Sequence, residues 1–443
     1  MPVKRLLIQM SWPVMLSMLI QALYNLVDSI FVAQINEKAF LSVSYAFPVQ
    51  SFMIAICVGT GVGVNAILSR RLGERRYEDA NAVALNGYLI YLVCFALFFL
   101  FGLLGTGTFL TYFTSDAQIV DYGSQYLGIV CCCSVGMCLQ FAGERVLQAT
   151  GHATGYMMIQ GVGVVFNLIF DPVLIFGIGP FPVMGIRGAA IATVGGQILG
   201  ALLGIFLVAR VKELRLHLRK FRPCPRTIRD IYRIGFPAII TQILVTVMLA
   251  GMNKILGVYS DTLVFILGAY FKLQAFAYMP VFGLNTGMVP IIGYNYGAGH
   301  PKRITDTVRF AMAIAIAVML GGTILFQVFP GPLLAMFNPT EEILASGVPA
   351  LRIIAVSFPI AAVTVIFSSA FQALGAPMLS LFVSVIRQLI VVLPVSYVIC
   401  LVNPNLVWLS LPMADASAAA VSFFLYRHIY KAKILPLEER QSQ

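Results

Sequence analysis

The sequence predicts an all-α polytopic membrane protein: twelve transmembrane helices in two six-helix bundles related by an internal repeat. Three observations predict it. The 443 residues are 59% hydrophobic and only 11% charged, with a mean hydropathy of +0.90. Soluble domains carry roughly a quarter charged residues. Apolar runs of the length that crosses a bilayer, about 20 residues, recur along the whole chain. Finally, the two halves match at one constant offset.

The spans are expected at about 10–34, 42–69, 82–104, 122–143, 155–179, 188–209, 235–257, 262–293, 306–328, 347–371, 378–402 and 407–430. The run from Trp12 is longer than a signal-peptide core and lacks a small-residue cleavage site, so it reads as the first span. Alternate loops are basic. Arg70, Arg71, Arg75 and Arg76 follow the second span. Arg210, Lys212, Arg215, Arg219, Lys220, Arg222, Arg226, Arg229 and Arg233 separate the sixth from the seventh. By the positive-inside rule both termini are cytoplasmic, and a prokaryotic inner membrane is the expected location. The expected organisation is an amino-terminal bundle over 1–209, a basic cytoplasmic linker over 210–234 and a carboxy-terminal bundle over 235–443.

Basic residues exceed acidic ones by 11, but they sit in short loops between apolar runs. No contiguous basic face suited to nucleic acid results. The expected partners are the bilayer and small amphipathic organic molecules, with no obligate protein partner. The eight cysteines lie mostly within apolar runs and form no metal-ligand pattern, so they read as small packing residues.

Pro13 recurs as Pro237, 224 residues on. The same offset relates Gln50 to Gln274, Gly59 to Gly283, Gly63 to Gly287, Gly73 to Gly297, Gln148 to Gln372 and Gly151 to Gly375. Six spans per copy give both copies one orientation, with an axis along the membrane normal. A cleft between two such bundles, opening alternately to each side, implies alternating access.

Ionisable groups in hydrocarbon cost several kcal/mol and mark functional sites by default. Asp28 lies in span one, with Gln21, Asn25 and Tyr24 on or beside its face. Asn167 and Asp171 stand at i and i+4 in span five. Counting residues along the spans puts Asp28, Asp171 and Thr193 at one height in the outer half of the membrane. Pro172 frees the Leu168 carbonyl and kinks its helix. These groups suit a cation-coupling site, either for Na⁺, with Asp28, Asn167, Asp171 and Thr193 as ligands, or for a shared proton. The charges expected to be buried in the spans of the second half are Lys254, Lys272 and Arg387, with Asp415 the one acid among them. Gln21, Tyr24, Asn25, Tyr45 and Gln50 from the first half are candidates for a substrate cavity. Tyr270, Lys272, Gln274 and Arg387 are their counterparts in the second. Gly59, Gly61 and Gly63 read as close helix contacts. No nucleophile, metal-hydrolase or nucleotide-binding motif is present, so neither an enzyme nor a cofactor is expected, and Na⁺ or H⁺ supplies the energy.

Several segments resemble the multidrug and toxic compound extrusion family. They are LYNLVDSIFV at 23–32, GTGVGVNAILSRRLGE at 59–74, RVLQATGHATGY at 145–156, NLIFDPVLIFG at 167–177, GIRGAAIAT at 185–193 and PVFGLNTGMVPIIGYNYGAGHPKRI at 280–304. The resemblance implies an antiporter exporting amphipathic, cationic drugs in exchange for Na⁺ or H⁺. It implies an amino-terminal-lobe cation site at Asp28, Asn167, Asp171 and Thr193. The chain departs from the family after Asp28, where FVAQINEKAF has no glycine. The alternative is a lipid-linked oligosaccharide flippase of the same wider superfamily, which the basic residues of the second half keep open.

Overall fold

The computed structural model describes residues 1–443 except 36, 113, 215–221, 338 and 443, and the side chains of all but these and 25–30, 33, 34, 37, 40 and 440–442. Among the described residues the chain is helical throughout, without strands. The first repeat comprises α1 (Val3–Ile35), α2 (Glu37–Gly73), α3 (Tyr77–Leu104), the short α4 (Thr106–Thr111), α5 (Ala117–Cys132), α6 (Val135–Ala149), α7 (Ala153–Phe176) and α8 (Ile186–Ala209). The second comprises α9 (Pro225–Gly257), α10 (Asp261–Gly297), α11 (Pro301–Val328), the short α12 (Pro330–Ala335), α13 (Glu341–Ala355), α14 (Phe358–Ala373), α15 (Pro377–Val385), α16 (Leu393–Val402) and α17 (Ser410–Ile429). A π-helical segment, Ile386–Val392, joins α15 to α16, and α18 (Leu435–Ser442) ends the chain.

Ten stretches are long and apolar enough to cross a membrane. Two bent pairs, α5–α6 at 46° and α13–α14 at 47°, complete the expected twelve. The bends fall at Cys133–Ser134 and Val356–Ser357, close to one repeat apart. The short α4 and α12 begin 224 residues apart, at Thr106 and Pro330. Duplication is thus written into the breaks as well as the spans. Large apolar side chains such as Leu100, Leu202 and Phe424 are more than half exposed, as expected where lipid rather than water is the solvent.

Two compact units result: Leu16–Gly235, and Met1–Met15 with Phe236–Gln443. The start of α1 therefore packs with the second unit. The start of α9, helical from Pro225 within the basic 210–234 stretch, packs with the first. Glycines make both packings possible. A Cβ on Gly63 would strike the Ile231 carbonyl and come within 3.1 Å of the Gly235 nitrogen. In the second unit a Cβ on Gly287 would lie 3.0 Å from the backbone of Ser11. Ser11 and Gly235 are one repeat offset apart, so each glycine helix admits the corresponding turn of α9 or α1. Small residues let helices approach where lipid supplies no hydrophobic drive.

Candidate functional site

The expected site is organised around α7 in the first unit. Its Gly-capped C-terminal end is fixed by Gly177 in the left-handed region (φ 72°). The following loop is held there as well, the Met184 and Gly185 nitrogens donating to Leu174 and Ile175 carbonyls at 3.0 and 3.1 Å. α8 then starts against the same turn, since a Cβ on Gly188 would lie 2.5 Å from the Leu174 carbonyl oxygen. Pro172 sits inside an otherwise continuous helix.

One turn below that end, Asp171 is 1% exposed and Asn167 is buried beside it. With the Asn167 amide assigned so that both its ends are satisfied, its nitrogen donates to the Asp171 carboxylate at 2.8 Å to Oδ1, with Oδ2 also in contact. Its oxygen accepts from the Tyr24 hydroxyl at 2.6 Å. The amide therefore presents N–H to the carboxylate and keeps its own oxygen occupied. Tyr24, expected only at the edge of the span-one face, is a member of the site. Thr193 donates its hydroxyl to the Ala189 carbonyl at 3.0 Å. The Asp28 and Asn25 side chains lie outside the described residues.

The remaining candidates fall into place unit by unit. Gln21 is half-buried, as is Tyr45, which packs against the first unit's core. Gln50 donates to the Tyr126 hydroxyl at 3.1 Å. In the second unit Tyr270 is buried with its ring 5.3 Å from Phe271, and Gln274 is half-buried. Lys272 is exposed, its ammonium 5.9 Å from the Phe337 ring, and Lys254 is exposed too. Arg387 is no isolated cation. Its Nε lies 2.6 Å from Asp415 Oδ1, and it stands in the π-helical segment, a geometry often found at functional positions.

Sequence reading missed a fully buried carboxyl of the first unit. Glu144, which the expected fourth span stops just short of, is 0% exposed in α6. Its Oε1 accepts from Gln140 Nε2 and from Gln160 Nε2, both at 2.9 Å. Arg145 Nη1 donates to Gln148 Oε1 at 2.9 Å, and Asn65 Nδ2 reaches the same oxygen at 3.5 Å. Gln140, Glu144 and Gln148 stand at i, i+4 and i+8, a polar stripe that the segment QFAGERVLQA at 140–149 carries in plain view. Gly61 exists for this cluster, because a Cβ there would fall 2.7 Å from both Cγ and Nε of Arg145. Among the described residues no group of three His, Cys, Asp or Glu side chains has the geometry to hold a metal ion.

The fold and the polar interior together define a polytopic helical membrane transporter built of two duplicated units. The model of the MatE family matches twice, over residues 13–173 and 237–398, once per repeat. The chain belongs to the MatE family, whose members are transporters and not enzymes. Among its relatives is a FAD transporter of Shewanella oneidensis, 26% identical and covering 89% of this chain and 88% of that protein. The multidrug export protein MepA of Staphylococcus haemolyticus is 25% identical, with 94% and 91% covered. Solved structures agree in fold. An outward-facing multidrug resistance MATE family transporter superposes with a TM-score of 0.92 at 23% identity over 99% of this chain and 97% of that one. A MOP superfamily transporter from Pyrococcus furiosus, described as having a binding pocket of reverse polarity, gives 0.90 at 24% over the same shares.

Proposed function

We propose that the chain is an antiporter of the inner membrane, both termini cytoplasmic, that exports amphipathic organic cations by alternating access between its two units. The coupling carboxyl is Asp171, assisted by Asn167 and Tyr24, with Asp28 and Thr193 completing the site. The coupling ion is the proton. The observation carrying this reading is the Asp171 carboxyl, 1% exposed in the interior of the first unit with Asn167 and Tyr24 beside it, since a buried ionisable group marks a functional site. Relatives named as multidrug exporters support the cargo class. One proton entering as one monovalent cation leaves moves no net charge, so the pH difference supplies the drive, about 1.4 kcal/mol per pH unit.

The test is efflux of a fluorescent organic cation from vesicles under an imposed pH gradient, a Na⁺ gradient or neither. The wild type runs beside Asp171→Asn and Asp28→Asn. Transport driven by pH alone and lost in Asp171→Asn is expected; transport driven by Na⁺ alone, or intact in Asp171→Asn, sinks the reading. A second reading, export of an anionic cargo, is favoured by the exposed Lys254 and Lys272 and by the relative named as a FAD transporter. Competition of the cation's efflux by FAD would favour it.

A further inference from the structure

We infer that Glu144 is a second proton-carrying carboxyl of this transporter, placed toward the opposite end of the first unit from Asp171. The inference rests on the coupling role proposed for Asp171.

Gln160, Asn167 and Asp171 stand at i, i+7 and i+11 on α7, and all three are buried. At 100° per residue they share one face. That face carries polar groups over roughly 16 Å at 1.5 Å per residue. Its outer end is the Asp171 carboxylate; its other end is Gln160, which donates to Glu144 of α6. Between them α7 and α8 meet backbone to backbone, a Cβ on Gly196 lying 2.7 Å from the Gly163 carbonyl oxygen. Polar side chains thus mark two places along an otherwise close-packed seam, each holding one carboxyl.

The Glu144 environment is that of a group built to change charge rather than to be locked in an ion pair. Oε1 takes two amide donors, whereas Oε2 has no hydrogen-bond partner among the described residues. The charge whose field reaches Glu144 is Arg145 on the same helix. Successive residues on a helix do not face each other, and Arg145 sends Nη1 to Gln148 while its buried Nε has no hydrogen-bond partner among the described residues. From α7, Tyr156 hydrogen-bonds Gln160 beside the carboxyl. α2 brings the neutral Asn65 to the adjoining Gln148. From α3, Tyr91 donates to the Cys57 carbonyl at 2.8 Å. α8 carries Arg187 alone within its length, at its outer start. No basic side chain hydrogen-bonds Glu144 among the described residues, so the Arg145 field alone favours its charged form. The carboxyl binds a proton arriving along the bundle and releases it toward the end where α6 stops at Ala149, about 8 Å away along the helix axis.

The test uses purified full-length protein in vesicles, with efflux of a fluorescent cation followed across a range of pH. Glu144→Gln keeps the size and both acceptor contacts but cannot ionise. It is expected to lose at least tenfold of pH-driven efflux, with equilibrium cargo binding retained. Gln160→Met removes a donor that favours the carboxylate. It is expected to move the pH midpoint of efflux upward while folding normally, and it decides the matter if Glu144→Gln does not fold. A wild-type pH profile in Glu144→Gln, or an unmoved midpoint in Gln160→Met, overturns the inference. If Asp171→Asn still couples while Glu144→Gln does not, the Asp171 reading fails and Glu144 stands as the coupling group.

Discussion

Removing Asp415 is expected to destabilise the second unit strongly, whereas removing it together with Arg387 is not. The pair closes to 2.6 Å, with the Asp415 side chain 4% exposed and that of Arg387 27% exposed. At that separation the gross attraction is about 6 kcal/mol at an effective dielectric near 20. Desolvation takes back several kcal/mol per ion, and the partial exposure of Arg387 trims the attraction further. What remains after Asp415→Ala is a partly buried guanidinium near Tyr270 and Tyr278 with its counter-ion gone. Orphaning a buried charge costs about 3–5 kcal/mol, and the exposed edge of Arg387 puts this case near 3 kcal/mol. That is roughly a hundredfold in the unfolding equilibrium. The double variant Arg387→Met/Asp415→Leu removes both charges and leaves apolar volume, and it should recover at least half of the loss. Denaturant unfolding in detergent micelles measures Asp415→Ala, Arg387→Met and the double variant. If the double variant is as destabilised as the sum of the single changes, the pair is uncoupled and the reasoning fails.

Gly63→Val and Gly287→Val are expected to lower folded yield sharply, each costing more than the roughly 1–3 kcal/mol of ordinary overpacking, because the new atoms meet backbone at Ile231 and Ser11. Size-exclusion recovery reads this, and valine tolerated at either site would contradict the packing. Tyr24→Phe removes the hydroxyl that donates to Asn167 and should weaken pH-driven efflux by up to about tenfold, the worth of one hydrogen bond of about 1 kcal/mol. Unchanged efflux would place Tyr24 outside the site. Outside the membrane, the Lys38 ammonium 2.7 Å from Asp116 holds that carboxyl below the usual carboxylate range, helped by the Gln118 and Ile119 nitrogens. A depressed carboxyl stabilises the fold above its ordinary pKa and loses that contribution as pH falls through its folded value. Acidification from neutral pH should therefore cost Lys38→Ala slightly less stability than the wild type, a difference thermal unfolding at several pH values would detect.

Span number and the duplication were legible because lipid imposes a length and a composition on every crossing segment. The constant offset from Pro13 to Pro237 carried them into the fold, down to the matched bends near Cys133 and Val356. Asn167 and Asp171 were legible as well, since i and i+4 place them together whatever the partner. Two things were not. Tyr24 joins Asn167 through tertiary packing of α1 on α7, which no local spacing encodes. Glu144 escaped for a different reason: span boundaries drawn from hydropathy stop where charge begins. The fourth span was ended at residue 143, so a buried acid just beyond it read as loop. α6 continues to Ala149, and its stripe of Gln140, Glu144 and Gln148 was the signal available.

Duplication preserved the scaffold while the chemistry of the copies diverged. The positions one offset beyond Gln140, Glu144, Arg145 and Gln160 are Thr364, Ser368, Ser369 and Ser384, so the second unit has hydroxyls where the first has its carboxyl network. Arg387 stands one offset beyond Gly163, the residue that lets α7 and α8 touch. There the second unit holds an ion pair and a π-helical segment instead of a glycine contact. At the same offset the positions of Asn167 and Asp171 are taken by Val391 and Val395, so the second copy has neither the amide nor the carboxylate there.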